Sequence, residues 1–334
     1  MRIALDAMGG DNAPRATVLG ALAAVKEDSS IEIVLVGDES AIRTHLPAEL
    51  PANIEIVPTA EKIEADDEPV RAVRRKKNSS LVVAVNLASE KQVDAAISAG
   101  NTGALMAAGL LYAKRMEGIE RPALAAYIPN RKGRVTLVLD VGANMDAKPL
   151  HLLQYAIMGS IYVENVLGIQ RPTVGLLNVG TEDGKGNELT KAVFPLLAKT
   201  DLNFVGNVEA RDSLEGVCDI IVCDGFVGNV LLKALEGAAT SILSQLKQEF
   251  TSSLINKIGA ALLKPSLVRF KKRVDYTEYG GAPLLGLGSP IIKAHGSSDE
   301  KAIKNAIFSA VRYVRQDVNR VIQEAVRANT LESE

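Results

Sequence analysis

The segment Asn178-Val-Gly-Thr-Glu-Asp-Gly-Lys-Gly-Asn187 gathers one lysine, two carboxylates and three glycines into ten residues. Lys185 can present a compact positive charge to a bound oxyanion, whereas Glu182 and Asp183 would repel that anion unless they orient the lysine, hold a metal or accept a proton. Asn144, Asn207 and Asn229 offer amide donors that stay neutral at any relevant pH, which suits a developing oxyanion. Ser98-Ala-Gly-Asn-Thr-Gly103 has the form of a strand-to-helix turn: glycine admits a ligand close to the backbone, and the helix start presents unpaired N–H groups. It reads either as a phosphate cradle or as an ordinary turn capped by Thr102. His295, in a Gly-Ser loop, could bind phosphate, move a proton or simply hydrogen-bond within an exposed loop.

These segments belong to a set of eight Gly-, Asn- and Asp-rich stretches, each after a short apolar run. The others are Asp6-Ala-Met-Gly-Gly-Asp11, Asp140-Val-Gly-Ala-Asn144, Gly206-Asn-Val-Glu209, Cys223-Asp-Gly-Phe-Val-Gly-Asn229, Tyr279-Gly-Gly-Ala-Pro283 and His295-Gly-Ser-Ser298. In a parallel sheet such loops gather on one edge, where open α/β folds bind ligands, so convergence on one edge is the expectation. No Gly-x-Gly-x-x-Gly follows a strand, no P-loop spacing occurs, and no Gly-x-Ser-x-Gly elbow or evident Cys–His pair is present. Standard nucleotide sites and covalent catalysis are thereby disfavoured.

Positioning these loops falls to alternating elements. Apolar runs at Ile3 to Leu5, Ile31 to Val36, Ile54 to Val57, Ala95 to Ile97, Val135 to Leu139, Val174 to Leu177, Phe204 to Val205 and Ile220 to Val222 predict buried parallel strands. Helical stretches separate them, at Pro14 to Lys26, Gly103 to Lys114, Leu150 to Leu167 and Asn187 to Ala198. The pattern predicts a doubly wound, mostly parallel α/β sheet with helices on both faces, forming one catalytic domain over 1–334. Within it, 226–275 reads as a helical excursion, with one helix to Phe250 and a second from Ser252 to Leu263, ended by Pro265. A last long helix, Asp299 to Ala328, is expected to start at a Ser-x-x-Glu capping box, Ser297 to Glu300.

With 334 residues, 47% of them hydrophobic, the chain can bury a large core, and a net charge of −2 gives no field to attract nucleic acid. The N-terminus lacks the apolar stretch and cleavage site of an export signal, and no run of 18 apolar residues predicts a spanning helix. Cys218 and Cys223 flank a strand and read as buried thiols of a reducing compartment.

Taken in order, the Asp6 to Asp11 stretch with Pro14, Ser98 to Ala104, Leu176 to Asp183 with Lys185 to Asn187, Cys223 to Asn229 and Tyr279 to Gly286 resemble the bacterial phosphate acyltransferases of phospholipid synthesis, the acyl-acyl-carrier-protein:phosphate acyltransferases of the PlsX type. The resemblance spans essentially the whole chain. It implies a fold like that of isocitrate and isopropylmalate dehydrogenases and of phosphate acetyltransferase. It also implies a cytosolic homodimer that exchanges the acyl carrier protein thiol of a long-chain thioester for inorganic phosphate, without a cofactor. The product, acyl phosphate, would feed a membrane glycerol-3-phosphate acyltransferase.

Phosphate is already a nucleophile and a thiolate a tolerable leaving group, so positioning and one oxyanion donor suffice. On this reading Lys185 and Asn229 act at the reacting groups, and Asn101, Thr102 and Gly103 cradle phosphate. Asn144, Thr181, Glu182, Asp183, Asn187, Asn207 and His295 complete the substrate-binding set. The rivals are a phosphate acetyltransferase-like enzyme, a non-catalytic scaffold, and a metal- and NAD-dependent dehydrogenase with Asp140, Asp183 and Asp224 on Mg²⁺.

In the excursion, Leu254, Ile255, Ile258, Ala261 and Leu262 recur at helical spacing beside basic residues, Arg269 and Lys271 to Arg273. Such a stripe suits either an interfacial membrane contact or a dimer interface; the lipidic substrate of the resembled family favours peripheral membrane association. Arg74-Arg-Lys-Lys77 could steer an acidic carrier protein or be a solvated helix end.

Overall fold

The computed structural model describes residues 1–274 and 280–331; residues 275–279, which include the end of the 226–275 segment and Tyr279 of the Tyr279 to Pro283 motif, and residues 332–334 lie outside the described residues. Each predicted strand is present, as β1 (Arg2–Asp6), β2 (Glu32–Gly37), β3 (Ile54–Pro58), β4 (Ala95–Ser98), β6 (Val135–Leu139), β7 (Thr173–Asn178), β8 (Asn203–Glu209) and β9 (Ile220–Val222). Three further strands complete the sheet: β5 (Ala123–Pro129), β10 (Ala282–Leu285) and β11 (Ile291–Lys293). Together they form one 11-stranded sheet in the order β3-β2-β1-β4-β11-β10-β5-β6-β9-β7-β8.

The sheet is two parallel halves joined by antiparallel pairing. β11 runs parallel to β4, but β10 is antiparallel to β11, β5 to β10 and β6 to β5. Three reversals leave β6, β9, β7 and β8 pointing opposite to β1 to β4. The loops after β1 and β4 therefore open on one sheet edge and those after β6, β7 and β9 on the other. This overturns the expectation of a single loop-bearing edge, because the strands that reverse direction are ones the apolar runs did not disclose.

Helices cover both faces. Arg15–Glu27 packs against Glu300–Arg315, and Pro149–Leu167 lies over the second half, with Tyr155 and Tyr162 fully buried. Several helix boundaries depart from expectation. Pro14 caps its helix rather than entering the first turn. The last long helix breaks at Gln316-Asp317 into Glu300–Arg315 and Val318–Leu331, and its cap is Asp299, whose side chain accepts from the Ala302 amide at 2.8 Å. An acidic side chain one residue from the helix start outcompetes the more distant Ser297.

Helix Gly225–Thr251 and helix Leu254–Val274 form the excursion. Only Gly225, Gly228 and Leu231 of the first are buried, so beyond its opening turns it leaves the core. By length and composition it could span a bilayer, yet those opening turns are packed against the sheet. The second helix continues through Pro265, where the expected stop fails: the carbonyl that proline cannot satisfy belongs to exposed Ala261, which water can reach. Leu254, Ile255, Ile258 and Leu262 are 57 to 82% exposed. Cys218 and Cys223 are buried free thiols, and burial pushes both up, Cys218 to about 12.

Candidate active site

A cavity of about 870 Å³ lies over the antiparallel centre of the sheet. Leu124 and Ala126 of β5, Ala282 of β10 and Lys293 of β11 line it from the sheet, and helix Gly225–Thr251 contributes Asn229, Leu232, Lys233 and Glu236. The 99–103 turn enters from one sheet edge and Val141-Gly142 from the other. Of the residues expected at the site, Asn101, Thr102, Gly103, Asn229 and His295 line this cavity.

The first edge is built around Asp6 at the end of β1. Its buried carboxylate accepts from Ser98 Oγ at 2.6 Å and from the Met8 amide at 3.2 Å, and burial raises its pKa. Gly9 allows the β1 and β4 turns to touch, since a Cβ there would lie 2.5 Å from Asp6 Oδ2 and 2.6 Å from the Gly100 nitrogen. Asn101, not Thr102, caps helix Thr102–Ala108: its Oδ1 accepts from the Ala104 amide at 3.0 Å, and its Nδ2 donates to the carbonyls of Ala65 and Asp67. Thr102 and Gly103 are exposed at the cavity wall.

The second edge is organised by Asp140, which is fully buried. Its carboxylate accepts from the amides of Leu124, Gly142, Ala143 and Asn144 at 2.7 to 3.2 Å, while burial raises its pKa. Asn144 spends its Nδ2 on Asp140 and on the Pro122 carbonyl. Asp224 caps helix Gly225–Thr251 by accepting from the Phe226 and Val227 amides at 3.0 Å. Asp140 and Asp224 are thus engaged by backbone donors, and among the described residues no three His, Cys, Asp or Glu side chains are grouped as metal ligands. Asn229 differs from the other asparagines expected at the site: it lies beside Gly142, half-buried, and among the described residues its side chain makes no hydrogen bond.

The 178–187 loop stands apart from the cavity. Asn207 Nδ2 donates to the Glu182 carbonyl at 2.8 Å and its Oδ1 accepts from Asn178, while Asn187 caps helix Glu188–Ala198. Lys185 Nζ lies 3.8 Å from Glu182, both side chains more than half exposed, and Thr181 and Asp183 are exposed as well. The loop is a braced strand-to-helix connection at the surface, so the structure does not bring Lys185 and Asn229 together around this cavity within one copy.

Sequence reasoning missed the cavity's other charged residues. Lys62 pairs with Glu64 at 3.0 Å and Lys233 with Glu236 at 2.8 Å, both lining the wall. His295 Nε2 lies 3.7 Å from Glu236, its Nδ1 is 2.8 Å from Ser297 Oγ, and burial lowers its pKa. Lys293 is 8% exposed, and burial lowers its pKa to about 8. The one available cue was a lysine closing the apolar run Ile291-Ile292-Lys293-Ala294, where a charge has no structural reason to be. With apolar Ile63, Leu124, Val141, Met145 and Leu232 sharing the wall, the cavity can hold an anion beside an aliphatic chain.

A profile of the family described as fatty acid synthesis protein matches residues 1–321. The chain is 78% identical over 331 residues to a phosphate acyltransferase of Brevibacillus brevis, covering 99% of each chain. It is 56% identical to a phosphate acyltransferase of a Geobacillus species, covering 98% of this chain and 99% of the relative. Among solved structures, a phosphotransacetylase from Streptococcus pyogenes superposes with a TM-score of 0.62 at 15% identity, covering 95% of this chain and 94% of that one. A 4-hydroxythreonine-4-phosphate dehydrogenase from Klebsiella pneumoniae gives 0.51 at 16% identity, covering 94% and 98%. Both likenesses show a shared fold across acyltransferases and dehydrogenases. At such full-length identity to its sequence relatives, the chain belongs to the fatty acid synthesis protein family, among proteins named phosphate acyltransferase.

Proposed function

We propose that this acyltransferase moves a long-chain acyl group from the thioester of acyl carrier protein to inorganic phosphate, releasing free carrier protein and acyl phosphate. The observation that carries the reading is 78% identity over the full length to a protein named phosphate acyltransferase. A partly apolar cavity with a buried lysine, Lys293, in its wall is consistent with it. A phosphate oxygen attacks the thioester carbonyl carbon, the C–O bond forms, and the C–S bond breaks with its electron pair leaving on sulfur. Asn229, with an uncommitted amide, donates to the carbonyl oxygen as it gains charge. Incubation with palmitoyl acyl carrier protein and phosphate, followed by hydroxylamine trapping, is expected to give palmitoyl hydroxamate; thiol release without phosphate dependence would overturn the reading.

Thr102 and Gly103 contribute to the phosphate end, with Asn101 and Asn144 holding the turns around it. Lys185 acts on the reacting phosphate together with Thr181, Glu182, Asp183, Asn187 and Asn207, which requires the 178–187 loop to meet the cavity of a second copy in a homodimer. Lys185→Ala is expected to abolish hydroxamate formation with an unchanged melting temperature; near-normal turnover removes Lys185 from the mechanism.

Residues 1–334 act as one catalytic domain in the cytoplasm, and 226–275 serve dimerisation and peripheral membrane contact, delivering acyl phosphate to a membrane glycerol-3-phosphate acyltransferase. Supporting the contact, Leu254 and Leu262 are 75% and 79% exposed. Burying such side chains in lipid is worth about 1.5–3 kcal/mol each. Leu254→Glu with Leu262→Glu is expected to leave the protein in the supernatant after sedimentation with anionic liposomes; unchanged co-sedimentation would assign the stripe elsewhere. The run Arg74 to Lys77, with Arg74, Arg75 and Lys77 exposed, ends the helix opened by Pro69, which touches the Gly103 turn, and it offers the acidic carrier protein a dock near the cavity.

A further inference from the structure

We propose that Lys293 is the cation that holds inorganic phosphate in the cavity, through the N–H of its ammonium that the chain leaves unspent. The inference rests on the phosphate-transfer reading and supplies that reading with a residue.

Lys293 closes β11, with its neighbour in register on β4 being Ser98 at the start of the 98–103 turn. The ammonium is buried and donates to two backbone carbonyls, those of Ala99 at 3.2 Å and Ala294. An ammonium carries three donors, so one remains, and the residue lines the cavity. The other cavity lysines are neutralised, Lys62 by Glu64 and Lys233 by Glu236. Among the described residues, no carboxylate lies within ion-pair distance of Lys293. Asp6 and Asp11 support its charge from farther away, and Lys233 opposes it.

A buried charge without a partner is costly, and a chain that only needed to tether two carbonyls could use a neutral donor. The missing partner is an anion entering from the cavity, and for an acyl-to-phosphate transfer that anion is the nucleophile. The aliphatic chain of the other substrate gains nothing from an ammonium, which places the phosphate at the Lys293 end and leaves Leu124, Val141 and Leu232 to the acyl chain.

The test is calorimetric titration of inorganic phosphate into the full chain without acyl donor, for the unmodified protein, Lys293→Gln and Lys293→Arg. Glutamine keeps neutral donors and loses the charge, so the dissociation constant for phosphate is expected to rise about 10- to 100-fold, with the melting temperature maintained. Arginine keeps the charge and is expected to bind more tightly than glutamine. In turnover, the glutamine variant is expected to raise the KM for phosphate while leaving the KM for palmitoyl acyl carrier protein unchanged. Unaltered phosphate affinity in a folded glutamine variant would refute the assignment, as would absence of phosphate binding by the unmodified protein. Should the variants not fold, acetylation of lysines in the unmodified protein decides: Lys293 is expected to be protected by added phosphate, and labelling indifferent to phosphate overturns the proposal. Phosphate binding through Lys293 without thiol release from the acyl donor would sink the transfer reading and leave this one standing.

Discussion

Gly228→Ala is expected to abolish acyl transfer and to cost about 3 kcal/mol of stability, at the upper end of what overpacking a core does. A Cβ at residue 228 would sit 1.9 Å from the Asp140 carbonyl oxygen and 2.8 Å from Cys223 Sγ. Both are buried, and the first is backbone whose carboxylate is already held by four amides, so neither can give way cheaply. The helix must lift from the β6 turn instead, and Asn229, the next residue, moves with it. Gly225 is under the same constraint, with a Cβ there meeting the Asn144 carbonyl oxygen at 2.7 Å. Melting temperature and hydroxamate formation check this together: a Gly228→Ala protein normal in both would mean that the close contact is not needed.

Asn229→Ala is expected to lower kcat by about 10²- to 10³-fold, the usual loss for one oxyanion donor, with little change in phosphate affinity or melting temperature. The reasoning is one of availability. Asn101, Asn144, Asn187 and Asn207 are each committed to a cap or a loop brace, so truncating any of them should register first as stability. Asn229 lines the cavity with no side-chain hydrogen bond to break among the described residues, so its truncation should register as catalysis. A variant that loses stability but keeps its turnover would place Asn229 with the structural asparagines.

Legibility of the site followed the same division. A residue type shows what a side chain can do; whether it remains free to do it depends on distant partners. Asn207 and Asn229 were equivalent donors on paper, and a bond to the Glu182 carbonyl separates them. Lys185 stands among glycines in a loop, while Lys293 ends a short buried strand, where a single charge after two isoleucines is the whole local signal. Its meaning emerges only when burial is known and the partners of Lys62 and Lys233 are counted.

The sequence by itself determined that this is a doubly wound α/β chain with long helices, because short Val-, Ile- and Leu-rich runs alternating with helical stretches bury themselves as a covered sheet, and because its motifs match one family from end to end. Tertiary structure alone decided the direction of half the sheet. The reversing pairs involve β5, an alanine-rich strand, and β10, four residues that include a proline, and neither has the composition to declare itself a strand. They are strands because existing sheet edges on both sides supply their hydrogen bonds, and that long-range pairing, which no local pattern encodes, sets the cavity between two opposed loop edges.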